Sequence, residues 1–141
     1  MKWVLAFHFV FFAMGVGMSF SNFVNIVLAR RLGGEKAAGL AALRGVLGRI
    51  GDVVIAMIWI TGIWISLPFF RAGGMAAFPV AFHVKLLFVI GLTLCHAGAR
   101  ITAARIARTG NKRLIGIVQT CTLGVYLNAL AAIILAVAAF D

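Results

Sequence analysis

The sequence predicts an all-α fold, an integral membrane four-helix bundle that uses the whole chain as one transmembrane domain. Three observations predict it. Hydrophobic residues make up 64% of the 141 residues, against roughly 45–50% in soluble domains. The mean hydropathy is +1.12. The apolar residues fall into four runs of spanning length, at about 3–28, 53–70, 79–99 and 114–140, separated by basic or glycine-rich connections. The formal charge of +10 would point to nucleic acid in a soluble protein. Here the cations lie between apolar runs, so they read as topology signals and contacts to anionic lipid, with no nucleic acid partner.

The first run, Trp3 to Leu28, is too long for the apolar core of a signal peptide, about 7–15 residues. It ends at Arg30-Arg31 without a small-residue cleavage site, so it reads as a retained helix. Trp3 suits a membrane interface. Gly15, Ser19 and Asn22 follow His8 at helical spacing and share its face, a small and polar stripe of the kind that faces a bundle. The phenylalanines around them, including Phe9, Phe11, Phe12 and Phe20, can meet lipid or pack between helices.

Arg30 to Asp52 reads as the first polar connection. Leu40, Leu43, Leu47 and Ile50 recur in it at helical spacing, an interfacial amphipathic start that runs on into the second helix. Arg49 and Asp52, at i and i+3, are expected to pair. The second helix spans Val53 to Phe70, with Trp59, Trp64, Thr61 and Ser66. Leu67-Pro68 marks its end, because proline restricts the residue before it. Gly73-Gly74 signals the turn. Pro79 fits the first position of the third helix. The basic segment Arg100 to Arg113 extends that helix out of the bilayer until Thr109-Gly110-Asn111 turns the chain. The fourth helix carries Gln119, Thr122 and Tyr126 on one face, which argues for burial against its neighbours, and Asp141 ends it. Cys95 and Cys121 fall inside spans and read as small packing residues.

Lysine and arginine set the orientation. The first connection carries Arg30, Arg31, Lys36, Arg44 and Arg49, and the third carries Arg100, Arg105, Arg108, Lys112 and Arg113. The other side has Lys2 and Arg71, with Lys85 just inside. The positive-inside rule places both basic connections in the cytoplasm and both termini on the outer side, periplasmic for a bacterial inner membrane.

The candidate chemistry concentrates between Pro79 and Arg100, where two of three histidines and a lysine interrupt an apolar run. Ionisable residues inside a span are costly, which makes them functional candidates. Counted from Trp3 and Pro79, His8, His83 and Lys85 lie within roughly 10 Å of the outer interface. His96 lies about 20 Å from His83 along the axis, near the cytoplasmic end. Lys85, Val89, Leu92, His96 and Arg100 form one stripe, and His83 points elsewhere. No Asp or Glu lies at the depth of Lys85, so its partner is a ligand carboxylate, or it snorkels to the interface. Histidines on facing helices of an apolar bundle suit haem ligation, with His8 and His83, or His8 and a stripe residue, as axial candidates; the alternative is hydrogen-bonded histidines without a ligand. For His96 the alternative is a rim histidine beside Arg100. Cys-x-x-Cys-His is absent, as are phosphate-binding loops, dinucleotide fingerprints and hydrolase elbows. Met14, Met18 and Met75 with His8 and His83 offer a copper alternative.

Ala6-Phe7-His8, Gly62-Ile63-Trp64-Ile65 and His83-Val84-Lys85-Leu86-Leu87, with His96 eleven residues after Lys85, resemble the HemJ-type protoporphyrinogen IX oxidases, small bacterial membrane proteins related in general pattern to CopD-type copper-resistance proteins. The resemblance implies a haem b-binding bundle that oxidises protoporphyrinogen IX and passes electrons to quinone. It implies catalytic roles for His8 and Lys85; the reading of the residues themselves adds His83, His96 and Arg100 to these two as cofactor-binding candidates. The chain departs from that pattern in two places. SFSNFVNIVLAR stands where a Pro-Arg is expected in helix one, and GIVQTCTLGVYLNA where an Asn-Glu-x-Pro is expected in helix four. A second class of function is a non-enzymatic accessory subunit, packed as a homo-oligomer or within a larger membrane complex.

Overall fold

The computed structural model describes residues 2–138. Four long helices account for nearly all of them: α1 (Lys2–Leu32), α2 (Gly34–Gly73), α3 (Val80–Thr109) and α4 (Ile115–Ala138), with single 3-10 turns at Gly74–Ala77 and Lys112–Leu114. All four are long and apolar enough to cross a membrane. At 1.5 Å per residue, α1 is about 46 Å long and α2 about 60 Å, against a hydrocarbon core of about 30 Å. Both therefore project beyond a bilayer. The expected ends of helix four at Phe140 and of the chain at Asp141 lie outside the described residues.

The first connection is much shorter than the sequence pattern implies. Arg30 to Asp52 is helical throughout except at Gly33. The chain reverses on Gly33 and Gly34, whose φ angles are +61° and +53°. Only glycine enters that region freely, so the Gly-Gly pair, rather than the charged stretch around it, makes the turn. The amphipathic start is thus the first half of α2 itself. Its leucine stripe is split by the packing: Leu40 and Leu47 are partly buried, whereas Leu43 and Ile50 are exposed. Gly34→Ala is expected to cost about 1–2 kcal/mol through left-handed strain, read as a lower unfolding midpoint in detergent; an unchanged midpoint would show that the turn tolerates a Cβ.

Pro68 does not end the second helix, which continues five residues to Gly73. Proline removes one intrahelical bond, to the carbonyl of Trp64. Ending the helix in apolar surroundings would strand several backbone groups, so continuation costs less. The helix stops at Gly74, with φ +62° and its N–H on the Phe70 carbonyl. Pro79 precedes α3 as its N-cap rather than as its first helical residue. Gly110, left-handed at φ +66°, closes α3 within the predicted Thr109-Gly110-Asn111 turn.

Interhelix contacts fix an up-down arrangement. Arg30 of α1 bonds Gln119 of α4, and Phe20 faces Tyr126. His8 bonds Thr61 of α2, and Asp52 of α2 bonds His96 of α3. Each pairing is antiparallel, so Lys2 and Ala138 lie together at an open end and both basic turns at the other. Thr122 is buried, and with Gln119 and Tyr126 it places the polar face of α4 inward as expected.

Close packing joins α1 to α2, α3 to α4, and α1 to α4. The core runs along these seams: Phe12, Val54, Ile58, Val89 and Ala132 in one cluster, and Leu92, Val125 and Ala129 in the next. The α3–α4 seam is made of small residues in register. Gly98 lies against Cys121 and Gly124 against Cys95, so both free thiols fill glycine hollows. α2 and α3 instead meet mainly through side chains. Trp59 Nε1 donates to Thr93 Oγ1 at 3.0 Å, and Asp52 reaches His96 and Arg100.

Candidate functional site

The stripe that begins at His8 faces the bundle. His8 is 6% exposed and Ser19 is buried, while Gly15 lies against Val54 and Ile58. The imidazole fits because α2 presents Gly62 there: a Cβ on Gly62 would sit 3.2 Å from His8 Cε1.

The tautomer of His8 follows from its neighbours. Thr61 Oγ1 lies 2.6 Å from the Met57 carbonyl, which has no proton, so the hydroxyl hydrogen points there. The same oxygen is 2.7 Å from His8 Nδ1 and must accept, so Nδ1 carries the proton. Nε2 is left with its lone pair and no hydrogen bond among the described residues. A histidine that donates through one nitrogen to a fixed acceptor and keeps the other as a base is the arrangement of a metal ligand or proton acceptor. Thr61→Val is expected to release this preference. The ¹⁵N spectrum of His8 should change from one tautomer to a mixture, and retention of pure Nδ1–H would show that Thr61 does not set it.

Lys85 comes to the same layer. Its Nζ stands 5.5 Å from the centroid of the Phe12 ring, and Phe12 packs edge-on against His8 at 5.1 Å between centroids. Phe12 thus separates a cation from a base at one depth. Among the described residues Lys85 has no carboxylate partner; its charge rests on an aromatic face, a contact of about 0.5–2 kcal/mol.

The structure does not bring His83 into this layer. Its Nδ1 donates to the Pro79 carbonyl at 3.2 Å, and its ring packs edge-on against Phe78 and Phe82. It serves the start of its own helix, as its position off the stripe implied. The copper candidates are also apart: Met14 and Met75 are exposed, while Met18 lies beside Gly51. Among the described residues no three His, Cys, Asp or Glu side chains gather around a common point.

His96 and Arg100 form a second cluster toward the basic end. Asp52 does not pair with Arg49. Its Oδ1 is 2.6 Å from His96 Nε2, and its Oδ2 accepts from Arg100 Nη2 at 3.0 Å. The stripe on α3 explains the choice: it projects His96 and Arg100 across the loose seam, where each meets the α2 backbone at a glycine. A Cβ on Gly51 would lie 2.9 Å from His96 Cε1, and one on Gly48 2.9 Å from an Arg100 nitrogen. Sequence reasoning missed Asp52 as a member. The available signal was a lone carboxylate directly after Gly51 and four residues after Gly48, which marks a close approach without naming the partner.

Behind this cluster lies a small, partly open cavity of about 30 Å³, lined by Ser19, Asn22, Gly51, Leu92, His96 and Val125 among others. An open groove of about 400 Å³ lies elsewhere, on the flank of α1 and α2, between Phe20, Ser21, Val24 and Asn25 on one side and Leu43 and Leu47 on the other.

Compared with known proteins, the chain matches no family model, no curated protein and no solved structure.

Proposed function

We propose that this chain is a multi-pass protein of a bacterial inner membrane that binds a tetrapyrrole at the His8–Lys85 layer, with haem b as the cofactor. The observation that carries the reading is the pairing, around Phe12, of a buried imidazole with a free Nε2 and a lysine without a protein counter-ion. An iron porphyrin needs a neutral nitrogen ligand and partners for its propionates. His8 supplies the first, and Lys85 supplies a charge-assisted bond for the second.

The donors fit, but the enclosure is partial. The small cavity holds about 30 Å³ and lies beside His96, and the 400 Å³ groove is lined by no histidine. The remaining walls come from lipid, a second copy or a larger complex. When bound, haem b would supply one-electron redox chemistry. The chain's own residues then have limited tasks: His8 holds iron or takes a proton at Nε2, Lys85 anchors a carboxylate, and Phe12 keeps water from between them. Oxidation of protoporphyrinogen IX with transfer to quinone is the finer form of this proposal, and it rests on the resemblance in helices one to three. The basic end is then cytoplasmic.

The partial enclosure also favours the second reading, an accessory subunit in which His8 and Lys85 bind no cofactor. One measurement separates them: protein expressed with ample haem and purified in mild detergent should show a Soret band, and colourless, well-folded protein would overturn the haem assignment. Complementation of a strain lacking protoporphyrinogen oxidase tests the reaction, and failure by well-inserted protein would remove it.

A further inference from the structure

The cluster at the basic end has a hydrogen-bond pattern that points to a bound proton. As the carboxylate partner of a guanidinium, Asp52 is an acceptor on both oxygens. The 2.6 Å contact with His96 is therefore donated by Nε2–H. That leaves Nδ1, which carries no hydrogen bond among the described residues, as the ring nitrogen available to the cavity His96 lines.

The other polar walls of the cavity are acceptors too. The Ser19 hydroxyl spends its proton on the Gly15 carbonyl at 2.7 Å, which leaves Oγ lone pairs. Asn22 Oδ1 is sealed from solvent and has no partner. Among the residues that line the cavity, His96 is the one ionisable side chain: α1 contributes Ser19 and Asn22, α4 contributes Val125, and Asp52 and Arg100 stand outside the lining.

A cavity of about 30 Å³ has room for a single water, which bonds to two to four polar groups. Three acceptors then face one molecule that has two protons to give. With His96 neutral, one acceptor goes without. With a proton on Nδ1, the count closes: the imidazolium donates to the water, and the water donates to Asn22 Oδ1 and Ser19 Oγ. The positive charge is met by Asp52 through Nε2–H.

We propose that Ser19, Asn22 and His96 bind one water together with one exchangeable proton, and that Asp52 is the positioning residue that fixes His96 for this task. Loading adds a proton to the Nδ1 lone pair, release restores it, and no other bond changes. The site is a proton store at the basic end of the bundle, separated from His8 by the apolar layer of Ile58, Val89 and Leu92. It stands independently of any tetrapyrrole.

The test is solid-state NMR on full-length protein in lipid nanodiscs, labelled with ¹⁵N at histidine and asparagine. Polarisation transferred from water should reach His96 Nδ1 and the Asn22 amide. Acidification should add a proton at Nδ1 while Nε2 stays bonded to Asp52. Asn22→Leu fills the cavity and should cut the water transfer to His96 by about tenfold or more, leaving the Nε2 signal in place. Ser19→Ala removes one acceptor without adding volume, and should weaken the transfer. The proposal is overturned by absence of water transfer in the wild type, by a neutral Nδ1–H tautomer with a bare Nε2, or by transfer that neither variant alters.

Discussion

Replacing His8 by alanine is expected to abolish the Soret band of haem-loaded protein. The imidazole is the one histidine ring packed into that layer, because His83 stands at the start of its own helix against Phe78 and Phe82. Under the proposed haem binding its loss would leave iron without a protein bond, and no neighbour within the Phe12–Thr61–Gly62 surround would replace it. The substitution also removes a ring packed on Phe12 and Gly62, so a stability cost of about 1–3 kcal/mol accompanies it. A control separates the two effects. Phe12→Leu disturbs the same packing without removing a ligand, and should shift the band while keeping it. If His8→Ala keeps a full Soret band, the assignment of His8 to iron fails. On the same proposal Lys85→Met should keep the Soret band and weaken retention of the porphyrin, because it deletes only the proposed propionate partner.

Asp52→Ala should lower the stability of the bundle by about 1–2 kcal/mol. Two interhelix bonds end on this carboxylate, at 2.6 Å from His96 and 3.0 Å from Arg100. The side chains of Asp52 and Arg100 are 47% and 40% exposed, so solvent screening keeps each bond well below the value of a buried pair. The effect is nonetheless larger than for a surface pair, for two reasons. No other carboxylate among the described residues pairs with either partner, and α2 and α3 have little backbone packing to compensate. Asp52→Asn should fall between wild type and alanine. In a double-mutant cycle with Arg100→Leu, the coupling should be about 0.5–1 kcal/mol. Fully additive effects would show that the bridge is geometric and carries no energy.

The spans and their order were legible because hydropathy is a sum over twenty residues and tolerates local error. The inward stripe of α1 and the stripe of α3 were legible because helical periodicity places His8 with Ser19, and Lys85 with His96. The first turn was not. Seven charged residues between Arg30 and Asp52 look like a loop, yet a helix that emerges from a bilayer keeps its backbone bonds and simply changes its side chains. Pro68 misled for a related reason: in apolar surroundings the alternative to a strained helix is worse than the strain. Asp52 was assigned to Arg49 because i, i+3 spacing is visible in sequence, whereas a partner on another helix depends on which faces meet. The roles of Gly48, Gly51 and Gly62 are likewise unreadable alone, since a glycine in a span signals close approach without naming what approaches.

The loose α2–α3 seam makes the bundle resemble a bound book. Its spine is the α1–α4 contact, its two boards are the hairpins α1–α2 and α3–α4, and its fore-edge is held by three clasps, Trp59–Thr93, Asp52–His96 and Asp52–Arg100. Parting that edge breaks these side-chain bonds and the apolar contacts of Val54 and Ile58 with Val89, and leaves both boards and the spine intact, so it is where a large opening costs little backbone packing. An amphiphile dissolved in the bilayer would meet the interior from the side, through a membrane-facing slit, without ever crossing water.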